Sequence, residues 1–138
     1  MYIYLVGENY ICETDFYGHV NNTSYSFYFE QGRADYLEHL GFYNDQFNFF
    51  FVVGDFYCRY HQEAYALEHL LIKVRIAHRG TKSIKIESVI QRKSNLEVVA
   101  TSWATLIIVD KESKKSIPIP KLVHERVDKL ENLNVLNQ

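Results

Sequence analysis

Two stretches of alternating residues joined by a short turn constrain this chain most. Within residues 67–77, Leu70, Ile72, Val74 and Ile76 fall on one face and His69, Lys73 and Arg75 on the other, with Leu71 interrupting the polar side. Residues 83–92 repeat the pattern, with Ile84, Ile86 and Ile90 set against Lys85, Glu87 and Gln91. A period of two sends successive side chains to opposite faces of a strand. The intervening Arg79-Gly-Thr-Lys82 is short enough to join the two strands only as an antiparallel hairpin. One face of that hairpin needs a covering layer and the other is mostly wet.

The cover is predicted over residues 23–40. Large apolar residues recur there at Tyr25, Tyr28, Phe29, Tyr36 and Leu40, with Gly32 on the same stripe, as a helix packed on a sheet requires. Asn22, Thr23 and Ser24 are candidate caps, and Gly41 is placed to end the helix. Residues 2–6 and 9–12 read as a first strand or two strand pieces. The aromatic and β-branched run 49–59 reads as a second strand, with Gly54 as a bulge or close approach. Residues 96–109 are apolar on both faces, which predicts a central strand with Trp103 and both its neighbours covered. Pro118 and Pro120 stop the sheet, and 121–133 forms a short terminal helix with Leu122, Val123, Val127 and Leu130 inside. The order predicts one α+β domain spanning 1–138: a hotdog fold, with one long helix wrapped by a curved antiparallel sheet of about five strands and a short C-terminal helix.

Composition narrows the partners. Aromatic residues make up 15% of the chain, so either a pocket or an interior must absorb many rings. A formal charge of −2 supplies no field to attract nucleic acid or an anionic membrane. Cys12 and Cys58 form no C-x-x-C pair and read as reduced packing residues. The first residues lack a basic start and apolar core, and no stretch is long enough to span a bilayer, so a cytoplasmic location is expected. The six histidines include no H-E-x-x-H pair, and neither a phosphate loop nor a G-x-S-x-G elbow is present, so no metal or cofactor is expected.

Chemistry concentrates just before the helix. Glu13-Thr-Asp-Phe-Tyr-Gly-His-Val-Asn-Asn22 brings together a carboxylate (Asp15), an imidazole (His19) and two carboxamides (Asn21, Asn22), with Gly18 allowing a sharp turn. These residues are either turn and capping groups or a reactive site delivered to a helix N-terminus. Unpaired N–H groups there stabilise developing negative charge, as in an oxyanion hole.

The segments Asp15-Phe-Tyr-Gly-His-Val-Asn-Asn-Thr-Ser-Tyr25, Tyr28-Phe-Glu-Gln-Gly-Arg33 and Leu40-Gly41 resemble hotdog acyl-CoA thioesterases of the 4-hydroxybenzoyl-CoA thioesterase type. Tyr60 with Ala64, the Gly80–Ser83 turn and Ile117-Pro-Ile-Pro120 extend the likeness almost end to end. The resemblance implies that Asp15 attacks the thioester carbonyl or activates water, and that Asn22 is the main oxyanion donor through its backbone N–H. It further implies that His19 orients the acid or the water and that Asn21 and Tyr25 shape the pocket. It implies an acyl-CoA or acyl-carrier-protein thioester as substrate, and a homodimer or homotetramer with active sites at the interface. Arg79 and Lys82 are either contacts for coenzyme A phosphates or a solvated turn. Two departures stand out. Glu63 replaces a proline common in the family, and Tyr17 replaces the first asparagine of the Asp-x-Asn-x-His-Val-Asn-Asn motif of plant acyl-ACP thioesterases.

Two rival readings remain. Hotdog hydratases and dehydratases also pair an acid with a histidine, but space them one residue further apart and lack the Val-Asn-Asn that follows here. A non-catalytic acyl-binding subunit would keep the fold without needing Asp15.

Overall fold

The computed structural model describes residues 2–8, 20, 22–42, 46–65 and 67–136, with the backbone alone for 2–8 and 133–136. Its elements run β1 (Tyr2–Glu8), α1 (Asn22–His39), β2 (Phe49–Tyr60), β3 (His69–Arg79), β4 (Ser83–Arg92), β5 (Val98–Asp110) and α2 (Lys121–Leu136). The strands are antiparallel in the order β1-β3-β4-β5-β2. Strands β3, β4, β5 and β2 form a four-strand body, with β1 along the outer edge of β3 and β2 left as the opposite edge.

The hairpin's apolar face is the floor of the core. Leu70, Ile72, Val74, Ile84, Ile86 and Ile90 are all buried. Each side chain of this size taken from water contributes about 1.5–3 kcal/mol. Helix α1 lies on this face through Tyr25, Tyr28, Phe29, Tyr36 and Leu37. Gly32 allows the close approach: a Cβ there would stand 2.8 Å from Ile72 Cγ2 and 3.2 Å from Val74 Cγ2. Helix α2 closes the end of the core with Val123 and Val127.

The C-terminus of α1 is closed by local chemistry. Gly41 takes φ of +82°, its N–H bonds Glu38 O at 2.8 Å, and the Phe42 N–H bonds Leu37 O at 3.0 Å, a Schellman motif. Arg126 from α2 donates to Leu40 O at 2.8 Å and lies over the Phe42 ring at 5.0 Å.

Several expectations shift. Strand β3 starts at His69 because Leu67 sits in a left-handed turn, φ 68°, and β5 starts at Val98 because Leu96 does the same at φ 62°. Helix α2 runs to Leu136, beyond the expected short helix. Trp103 is not covered: it is 37% exposed, while its neighbours Ser102 and Ala104 are buried. With β5 placed between β4 and β2 and α1 packing on the inner face, the side bearing Trp103 remains open. The apolar run was continuous in sequence but one-sided in space. The expected strand piece 9–12 lies outside the described residues. The arrangement is an α+β, hotdog-like fold. Among the described residues, no helix is long and apolar enough to cross a membrane.

Candidate functional site

Asp15, His19 and Asn21 lie outside the described residues, whereas Val20 and Asn22 lie within them. Asn22 is the first residue of α1, so its N–H and those of the next residues have no acceptor one turn back within the helix. The helix begins one residue before the sequence-based expectation, which puts Thr23 and Ser24 inside the first turn rather than at the cap.

This helix start is held by the connection between β2 and β3. The Val20 N–H donates to Ala64 O at 2.8 Å. The Ala64 N–H donates to the Tyr25 hydroxyl at 3.2 Å. Tyr25 is buried, with its ring 5.2 Å from that of Tyr60 and edge-on to Tyr28. Burial pushes the Tyr25 hydroxyl above its ordinary pKa, partly offset by the Ala64 N–H and the nearby charge of Arg92. Tyr25 is thus a neutral strut against the site. Beside it, burial also raises the Cys58 thiol, against a hydrogen bond with Tyr60.

Arg92, near the end of β4, gathers the same connection. Its Nε meets Glu68 Oε2 at 2.8 Å and its Nη1 donates to Gln62 Oε1 at 2.5 Å. Nη2 donates to the Glu63 carbonyl, and Glu97 Oε2 stands 3.4 Å from Nη1. The turn at Glu63, where proline is common in the family that the sequence resembles, is therefore held by a guanidinium. Sequence reading passed over Arg92 because it sits at a strand end with the periodicity of an ordinary wet-face residue.

Between α1 and β2 lies a groove of about 680 Å³ lined by Glu30, Arg33, Leu37, Phe42, Phe51 and Val53, among others. Strand β2 bulges between Val53 and Asp55. Rings of Phe42, Phe47, Phe49 and Phe51 cluster at one end, so these aromatics both fill core and wall the groove. Arg33 is buried with its guanidinium 5.3 Å from the Phe56 centroid, and burial lowers its pKa. Neither Arg33 nor Tyr60 was singled out for chemistry in the sequence, since each reads there as part of a helix or strand pattern.

The structure does not bring Arg79 and Lys82 to the helix start. Arg79 ends β3, with Nη2 on Asp128 Oδ1 at 2.6 Å and Nη1 3.1 Å from His124 Nδ1, both on α2. Lys82 is exposed on the following turn. The Tyr25 and Ala64 contacts lie near the beginning of β3, so the length of that strand, roughly 30 Å at about 3.3 Å per residue, separates the two places within one chain. Among the described residues, no group of three or more His, Cys, Asp or Glu is arranged to hold a metal ion.

Known proteins share this architecture. The chain is 29% identical over 105 residues to YsmA of Bacillus subtilis (strain 168), covering 76% of this chain and 71% of YsmA. It is 27% identical over 122 residues to the long-chain acyl-CoA thioesterase FadM of Escherichia coli (strain K12), covering 84% and 89% of the two chains. The DHNA-CoA thioesterase of Staphylococcus aureus superposes with a TM-score of 0.80 at 22% identity, over 99% of this chain and 94% of that one, a likeness of fold. Residues 11–127 match the model of the Thioesterase-like superfamily, a span holding the polar loop, the helix start it feeds and the sheet beneath, and the chain belongs to that superfamily.

Proposed function

We propose that this protein hydrolyses an acyl-CoA thioester to the free acid and the CoA thiol. The observation that carries the reading is the laterally anchored start of α1 at Asn22, directly after the segment of sequence bearing Asp15 and His19. Asp15 acts as nucleophile or as general base toward water. Its attack, or that of the water, converts the thioester carbonyl to a tetrahedral oxyanion, which the Asn22 N–H and the adjoining first-turn N–H groups receive. Collapse of this intermediate breaks the C–S bond, and the departing thiolate takes up a proton. In the covalent route, water then cleaves the resulting anhydride. His19 orients the acid or the water, and Asn21 and Tyr25 shape the pocket.

The groove beside α1 supports an extended acyl chain. Glu30 to Leu37 lie about 12–22 Å beyond Asn22 at 1.5 Å per helical residue, the length of a medium to long aliphatic chain. The relative named a long-chain acyl-CoA thioesterase agrees with that reach.

Strand β2 supports a homodimer. It is an edge strand of 12 residues with Val52, Val53, Phe56, Tyr57 and Tyr60 exposed, and such an edge invites pairing. In an antiparallel β2 pair, the Arg79–Lys82 turn of a second copy lies at the same end as the helix start of the first. In that arrangement Arg79 and Lys82 meet CoA phosphates from the neighbouring copy. A homotetramer and a cytoplasmic location complete the reading.

The test is thiol release from short, medium, long and aromatic acyl-CoAs by wild type and Asp15→Asn, with molar mass measured in solution. Asp15-dependent release with a preference for longer chains is expected. Release that survives the substitution removes Asp15 from the chemistry, and an intact acyl-CoA complex with no release assigns a binding role.

A further inference from the structure

The geometry points to Arg92 as a positioning residue that clamps the catalytic helix start from behind, through two consecutive peptide planes. The inference rests on the thioesterase reading for its catalytic consequence, though not for the clamp itself.

The first plane joins Glu63 to Ala64. Its carbonyl accepts from Arg92 Nη2, and its N–H donates to the Tyr25 hydroxyl. The second joins Ala64 to Tyr65. Its N–H donates to Glu68 Oε1 at 2.8 Å, Glu68 Oε2 meets Arg92 Nε at 2.8 Å, and its carbonyl accepts the Val20 N–H at 2.8 Å. Each plane is thus held on one side by the Arg92–Glu68 pair and on the other by a residue that brackets the start of α1. A cation on a carbonyl makes the N–H of the same amide a stronger donor, and an anion on an N–H makes its carbonyl a stronger acceptor. Both relays therefore tighten the contacts to Tyr25 and Val20. The Arg92 side chain is only 12% exposed and the Glu68 side chain 25%, so solvent screens the pair incompletely. Among the described residues Arg92 bonds Gln62, Glu63, Glu68 and Glu97, none of which is proposed to meet substrate, so its loss is expected to move the site without removing a binding contact.

The experiment compares wild type with Arg92→Gln, Arg92→Lys, Glu68→Ala and, as a control, Arg75→Gln, which breaks an ion pair of 2.5 Å with Glu87 elsewhere on the sheet. Amide hydrogen exchange at Val20 and Ala64, melting temperature, and kcat and KM on acyl-CoA are measured together. Arg92→Gln is expected to speed exchange at both amides about tenfold or more. It is expected to lower kcat about 10- to 100-fold, because small misplacement of reacting groups is costly, with KM nearly unchanged. Arg92→Lys recovers part of the loss, since one ammonium keeps the Glu68 pair but not the Glu63 carbonyl. Glu68→Ala cuts the second relay alone, so exchange rises at Val20 more than at Ala64, a readout that survives if Arg92→Gln does not fold. Unchanged exchange in the Arg92 and Glu68 variants, or equal losses in Arg75→Gln, overturns the clamp. Faster exchange with unchanged kcat overturns the catalytic positioning. Should wild type release no thiol, the thioesterase reading fails, while exchange at the two amides still decides the clamp.

Discussion

The two ends of α1 are finished in opposite ways. At its C-terminus, Gly41, the Phe42 N–H and Arg126 between them occupy the orphan carbonyls of Leu37, Glu38 and Leu40. At its N-terminus, support comes from the side: Val20 and Tyr25 are fixed to Ala64, and the first-turn N–H groups have no acceptor one turn back within the helix. A helix end closed locally in this way contributes stability and little else. An end held from the side by its neighbours is the one that the proposed function assigns to an oxyanion. The comparison teaches that substitutions at the N-terminal end should cost turnover more than stability, and those at the C-terminal end the reverse.

The sharpest way to break the comparison is at Asp15. Asp15→Asn should lower turnover by about 10²- to 10⁴-fold, with the melting temperature and oligomer unchanged in calorimetry and light scattering. Parallel losses of fold and rate would make Asp15 structural. His19→Ala should give a smaller loss in kcat, and equal kinetics would reassign it to the turn.

Tyr25→Phe tests the lateral support. It leaves the buried Ala64 N–H without its hydroxyl, costing about 1–3 kcal/mol in denaturant titration, together with a fall in kcat. At the other end, Gly41→Val forces a β-branched residue into φ of +82° and should cost about 1–2 kcal/mol with kcat unchanged. A kcat effect matching that of Tyr25→Phe would erase the distinction between the ends.

The smallest expected effect is in alkali. Burial raises the hydroxyl pKa of Tyr25 and of Tyr36, the first near the helix start and the second toward its end. A raised folded pKa means that their contribution is fully present below the unfolded value near 10 and is lost as pH rises through the folded values. Melting temperature should therefore fall above about pH 10, less steeply in Tyr36→Phe. A flat profile would mean that both hydroxyls ionise freely in the folded protein.

Much of the fold was legible in the sequence because its signals are local. Alternation set the faces of β3 and β4, and Gly41 marked the helix end, since a positive φ is a property of the residue at that position. The candidate site stood in the sequence as a cluster of side-chain types over 15–22, of which Asp15, His19 and Asn21 lie outside the described residues. What the sequence left open depends on residues far apart. Trp103 read as covered because a strand's pattern does not say whether a second layer lies on its other face. Arg79 read as a coenzyme A contact or a solvated turn residue because its partners, Asp128 and His124, come from a helix more than 40 residues later. Arg92 gave no signal at all, since what matters is which backbone carbonyl it reaches.

Local sequence was enough for the order and type of the elements, the apolar face of the hairpin, the capped end of α1 and the candidates Asp15, His19 and Asn22. Packing alone brought Ala64 to both sides of the helix start and Arg92 behind it, left β2 an open edge beside a long groove, and paired Arg79 with α2. The physical reason is range. Propensity, periodicity and capping act over a few neighbouring residues and leave their mark in composition, whereas a hydrogen bond or ion pair between distant segments exists only once packing has brought them together.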